Sequence, residues 1–211
     1  LMSDVNEASQ PQGRGELGGN PGGVVTRDTF DWWVDQVESN HSDKIIITAH
    51  HYLLKNTTVA TGEWEGMKRD VHGNWSTDYH GYYPDGTPHA ASYLYWVGGK
   101  PGSSEFETWL NANPNKVDFW LGGHTHTNPD DKHGGKGHIE AGYGGVTFVN
   151  VSALTRWFVK SHAVPHSRLF TFEDGSDCAA IECYMHSKDY REQGFYPEKK
   201  KEIKLTKPFQ I

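Results

Sequence analysis

An α/β fold with parallel strands is what this sequence predicts, and three observations carry the prediction. A helical pattern over residues 28–39 runs into a continuous β-branched strand at 44–49. A second helix followed by an apolar strand comes at 104–110 and 117–121. Both strands end directly in paired histidines, His50-His51 and His124-Thr125-His126, and open α/β sheets bind their ligands at strand carboxyl ends.

The bulk numbers set the frame. The 211 residues suffice for one domain with a substantial core, and neither an internal repeat nor a second core is visible, so residues 1–211 read as one unit. With 35% hydrophobic and 22% charged residues the chain is globular rather than disordered, and no run is long enough to span a membrane. A net charge of −7 without a concentrated basic face argues against nucleic acid as the main partner. Thirteen histidines exceed what a core needs and suit metal or phosphate chemistry, although most read as solvated loop residues. Cys178 and Cys183, five residues apart on one expected strand, point to opposite faces and do not form a disulfide.

Taken in order, Leu1-Met2-Ser3-Asp4 reads as the inside of a strand, so the natural N-terminus is expected upstream. Residues 1–24 show no signal peptide, and 8–24 form a polar Gly/Pro loop. Asp28 is expected to cap the 28–39 helix, with Phe30, Trp33, Val34 and Val37 on one face and both Trp32 and Trp33 packed in the core. Lys44-Ile45-Ile46-Ile47-Thr48-Ala49 has the pattern of a strand buried on both faces. Residues 56–102 carry no clear periodicity; their Trp, Tyr and His content suits either a lid over a site or a surface excursion packed by its own aromatics. Ser104 and Glu107 spell a capping box, and Asn113-Pro114 ends that helix before the strand at 117–121. A Gly/His loop at 128–145 leads to a strand at 146–151, then a hairpin formed by 167–172 and 178–185, then a lysine-guarded edge strand in the tail.

Gly122-Gly123-His124-Thr125-His126 is the stretch with chemistry in it. Its glycines let the backbone turn sharply and approach a ligand, and its two imidazoles can aim at different points of one site. Together with His50 it offers three imidazoles, enough for one catalytic zinc or for the nitrogen half of a two-metal site. Convincing carboxylates at other strand ends are few; Asp4 stands alone.

The strand ending in His50-His51, followed by a later strand ending in Gly123-His124-Thr125-His126, resembles the last two motifs of the calcineurin-like metallophosphoesterases, which include the purple acid phosphatases. The resemblance covers roughly residues 1–160. It implies the C-terminal half of a four-layer α/β/β/α sandwich, with a lid insertion at 56–102 accounting for the 74 residues between His50 and His124. By position, His50 and His124 would bind one metal and His126 the other. His51 would stand near the substrate or behind a ligand; which of His50 and His51 is the ligand stays open. The cofactors implied are two divalent or trivalent ions, iron, manganese or zinc. They activate a hydroxide that attacks a small-molecule phosphoester, as in a phosphatase or phosphodiesterase.

None of the family's earlier motifs, D-x-H, G-D-x-x-D and G-N-H-D/E, stands ahead of the His50 strand, where the family's order would put them. They supply the bridging aspartate, an asparagine ligand and the acid/base histidine, all expected upstream of Leu1. The chain alone is therefore expected to be inactive, either as half of a longer enzyme or as a fragment that has lost catalysis. Two rival readings are a non-enzymatic glycan-binding module using the aromatics of residues 64–96, and a mononuclear zinc hydrolase built from His50, His124 and His126.

Overall fold

The computed structural model describes residues 23–62, 68–69, 75–76, 93–97, 100–101, 104–154 and 163–211. The chain enters as strand β1 (Gly23–Val25) and turns at Thr26 into helix α1 (Arg27–Asn40). Thr26 is the cap: its hydroxyl accepts from the Thr29 amide at 3.2 Å. Asp28 falls inside the first turn, where its charge meets the positive end of the helix dipole. Phe30, Trp33 and Val37 are buried along one face. Trp32 is 54% exposed, which corrects the core reading for that residue: it sits one step round the helix from the buried stripe.

Strands β2 (Ile47–Ala49) and β3 (Leu53–Leu54) follow α1, then the short antiparallel pair β4 (Lys68–Arg69) and β5 (Trp75–Ser76). Next come β6 (Tyr93–Val97), β7 (Lys100–Pro101) and helix α2 (Glu105–Ala112). Ser104 stands at the cap position of α2 without a side-chain cap bond, so the expected capping box is not formed. Strands β8 (Phe119–Gly122), β9 (Ile139–Ala141) and β10 (Thr147–Asn150) carry the middle of the chain. The last four are β11 (His166–Phe172), β12 (Cys178–Met185), β13 (Gly194–Phe195) and β14 (Lys201–Lys204).

The fold is mixed α/β, as its sequence pattern predicts. One sheet runs β2-β8-β10-β9, with the first three strands parallel and β9 antiparallel. A second joins β1 and β3 in parallel to β6, with β7 antiparallel to β6. The third is antiparallel, with β12 paired to β11, β13 and β14. Of the 56–102 segment, Leu94 and Val97 are core residues, so its last part belongs to the second sheet. The aromatic residues from 64 to 89 lie outside the described side chains.

Alternation along β8 divides the core. Trp120 faces α1 and α2 and packs with Trp33, Phe106 and Phe148, the rings of Trp33 and Phe106 meeting edge-on at 5.0 Å. Phe119 faces the third sheet with Val149, Ala179 and Ile181. β8 and β10 are buried, as continuous apolar runs in a parallel sheet should be. β2 is not: among the described residues it pairs only with β8, and Ile47 is 44% exposed. Its β-branched run predicts burial on both faces, but no second described strand flanks it. Cys178 is exposed and Cys183 buried on opposite faces of β12, and both are free thiols.

Candidate metal centre

Register brings the histidines together. In the parallel pairing of β2 with β8, Ala49 lies opposite Leu121, so the next residues, His50-His51 and Gly122-Gly123-His124, emerge side by side. Backbone bonds lock them there. The His50 amide donates to the Leu121 carbonyl at 3.0 Å, and the Gly123 and His124 amides both donate to the His51 carbonyl at 3.1 Å. β10 extends the clamp through the Val151 amide, which donates to the Gly122 carbonyl at 2.9 Å.

The two glycines serve the crossing of these loops. A Cβ on Gly122 would stand 2.7 Å from the Leu53 side chain, and one on Gly123 would stand 2.7 Å from the Ser152 carbonyl oxygen. They are small because protein backbone passes over them, not because a ligand must.

Within this frame His51 Nε2 lies 3.0 Å from His124 Nδ1, with the rings edge-on. His124 also packs against the Tyr52 ring at 4.2 Å between centroids. Burial beside His51 and His126 holds the His124 imidazole neutral, its pKa pushed down to about 3. Burial lowers His51 and His126 as well. Neutral imidazoles with their lone pairs available are the protonation state that metal binding requires.

His50 is 5% exposed, and its Nδ1 lies 3.0 Å from the Tyr52 amide and 3.1 Å from the Tyr52 carbonyl. The Tyr52 amide donates to Nδ1, which places the ring hydrogen on Nε2; Nε2 would be the ligating nitrogen only in the other tautomer, with Nδ1 donating to the Tyr52 carbonyl. His50, His51 and His126 line one open cleft of about 590 Å³, together with Gly123 and Ser152. All four sequence-predicted residues thus stand around the ends of β2 and β8, and the direct imidazole–imidazole contact is made by His51 rather than His50.

Two residues not singled out in the sequence, Asn150 and Ser152, hold the loop in place. Asn150 is fully buried and donates through Nδ2 to the Thr125 carbonyl and hydroxyl. Its Oδ1 accepts from the Ser152 amide at 2.8 Å, which holds Ser152 at φ 67°, a left-handed conformation uncommon outside glycine. The strand-end rule that picks out the histidines applies equally to Asn150 at the end of β10.

The donor set tests what this centre could hold. Adjacent ligands on an ion with bonds of 2.0–2.1 Å stand about 2.9–3.4 Å apart, so the His51–His124 separation of 3.0 Å fits two ligands of one ion. Imidazole nitrogen suits zinc and iron. Among the described residues, no three His, Cys, Asp or Glu side chains meet at one metal-sized point. Among the described residues, those at this centre fit the nitrogen part of a metal site and add no carboxylate to it.

No family model matches the chain, and no curated protein and no solved structure matches it.

Proposed function

We propose that the histidines at the ends of β2 and β8 form the nitrogen face of a two-metal centre in a metallophosphoesterase. The observation that carries this reading is the contact at 3.0 Å between His51 and His124 at neighbouring parallel strand ends, above a cleft also lined by His50 and His126. His124 and one histidine of the His50-His51 pair hold one ion, and His126 holds the second. When bound, such ions supply Lewis acidity, activating water and neutralising phosphate charge. The chain's own part is to keep its imidazoles neutral by burial, to hold their spacing by backbone bonds across two strands, and to leave a cleft for a small phosphoester. In this reading the helices and sheets belong to a four-layer α/β/β/α sandwich, whose carboxylate ligands and acid/base histidine are not supplied by these 211 residues.

Cobalt(II) titration of the 211-residue chain, followed by its visible absorption, tests the centre. Weak but saturable binding is expected, lost in His124→Ala, with no turnover of bis(p-nitrophenyl) phosphate. Absence of any cobalt signal would overturn the nitrogen face. Phosphodiester turnover by the chain, abolished in His124→Ala, would overturn the assignment of the remaining machinery elsewhere. One tightly held zinc per chain with hydrolytic activity would instead identify a mononuclear hydrolase.

A further inference from the structure

Ser152 stands where the cleft wall meets both ends of the histidine loop. Its carbonyl oxygen covers Gly123, the residue before His124, so closely that a Cβ there would come within 2.7 Å. Its hydroxyl donates, over a long 3.5 Å, to the carbonyl of Thr127, the residue after His126. One residue thus touches both flanks of the 124–126 segment that carries two of the histidines. It does so from a left-handed backbone, φ 67°, which a side chain adopts only where surrounding bonds impose it.

Asn150 imposes part of that conformation through the Ser152 amide, and the third sheet imposes the rest. His166, the first residue of β11, is fully buried. Its Nδ1 lies 2.9 Å from the Val164 carbonyl and 3.1 Å from the Ser152 hydroxyl oxygen. A carbonyl can only accept, so the ring hydrogen is on Nδ1 and is shared between the two oxygens. The hydroxyl accepts from it and turns its own hydrogen toward Thr127. Backbone bonds brace the same segment: the His166 amide donates to the Ala153 carbonyl at 3.2 Å, and the Val164 amide donates to Asn128 Oδ1 at 3.1 Å. The start of β11 therefore grips the chain at 152–153 and again just past the histidine loop.

The other nitrogen of His166, Nε2, is buried without a hydrogen-bond partner among the described residues. A buried polar atom left unbonded is a cost, so packing alone would be served better by an apolar side chain. What the imidazole adds is its Nδ1 hydrogen. We propose that His166 is a positioning residue of the metal centre, acting through Ser152 on His124 and His126. It touches neither ion nor substrate; it fixes the hydroxyl that holds the loop at its span. This role rests on the metal reading of the centre.

Cobalt(II) titration of the full chain, followed by visible absorption and set beside urea unfolding, tests it. His166→Leu fills the space without a donor and should weaken cobalt binding about tenfold or more, as loss of groups behind metal ligands does. His166→Asn leaves space unfilled but sets Nδ2 where Nδ1 stood, so it should hold cobalt more tightly than His166→Leu while being the less stable of the two. A packing role reverses the order in affinity. If neither variant folds, Ser152→Gly decides: glycine takes the left-handed backbone without strain, so the urea midpoint should hold while cobalt affinity falls by a similar factor. Unchanged cobalt affinity in His166→Leu or Ser152→Gly, or affinity that follows stability across the variants, would overturn the role and leave the metal centre standing. No cobalt signal from the unsubstituted chain would overturn the centre itself, and this role with it.

Discussion

At the scale of single residues, the centre depends on atoms that sequence inspection misassigns. Gly123 reads as a hinge for ligand approach, yet its hydrogen faces the Ser152 carbonyl. Gly123→Ala should therefore cost about 1–3 kcal/mol by denaturant unfolding, because backbone must shift to admit the methyl. It should also weaken cobalt binding, since the displaced segment carries His124. Glu107 is a second case. It fits a capping box on paper, but it is 8% exposed, and burial pushes its carboxyl up to about 7. A carboxyl with a raised folded-state pKa favours folding while protonated and loses that advantage as pH rises from about 4.5 to about 7. Glu107→Gln should leave stability unchanged near pH 4 and raise it by about 3 kcal/mol at pH 8. Urea unfolding at both pH values checks this.

At the scale of elements, helices and strands were legible from periodicity, while their neighbours were not. The runs at 44–49 and 117–121 both contain observed strands. Nothing in 44–49 says that only β8 pairs with it among the described residues, because β-branched composition reports a buried backbone and not the number of partners. Asp118 shows a similar limit. Within an apolar run it passes for a tolerated exception, yet it is 5% exposed and ties distant elements together. Its carboxylate accepts from the Ile46 amide at 2.9 Å and from both the amide and hydroxyl of Thr206 at 2.8 Å. Asp118→Ala strands those donors and should cost about 3 kcal/mol or more. The loss should appear first as faster amide exchange at Ile46 and Thr206.

For the whole molecule, the strand-end positions of His50, His51, His124 and His126 could be read from sequence because each follows a recognisable strand. His138 and His166 could not be gathered the same way, since the loop from 127 to 137 and the start of β11 meet only in three dimensions. These buried histidines set the molecule's acid response. Burial pushes His138 down to about 3 and His166 down to about 4, from an ordinary value of 6.5. The unfolded chain then takes up protons that the folded chain refuses, and stability falls as pH drops below about 6.5. Glu107 acts in the opposite sense over part of that range. His124, also held down to about 3, adds to His138 and His166, and the net loss between pH 6.5 and about pH 5 should be about 3 kcal/mol, measurable as a lower urea midpoint.

The His51–His124 contact joins residues 73 positions apart in the chain. An ion held by both rings would be a removable cross-link, closing a loop as a disulfide does. In the chain-entropy picture such a closure stabilises by about 4 kcal/mol, offset by whatever grip the unfolded chain keeps on the ion. Metal loading would then be visible without any catalysis. Zinc should raise the thermal midpoint of the chain, chelator should lower it again, and His124→Ala should reduce both effects.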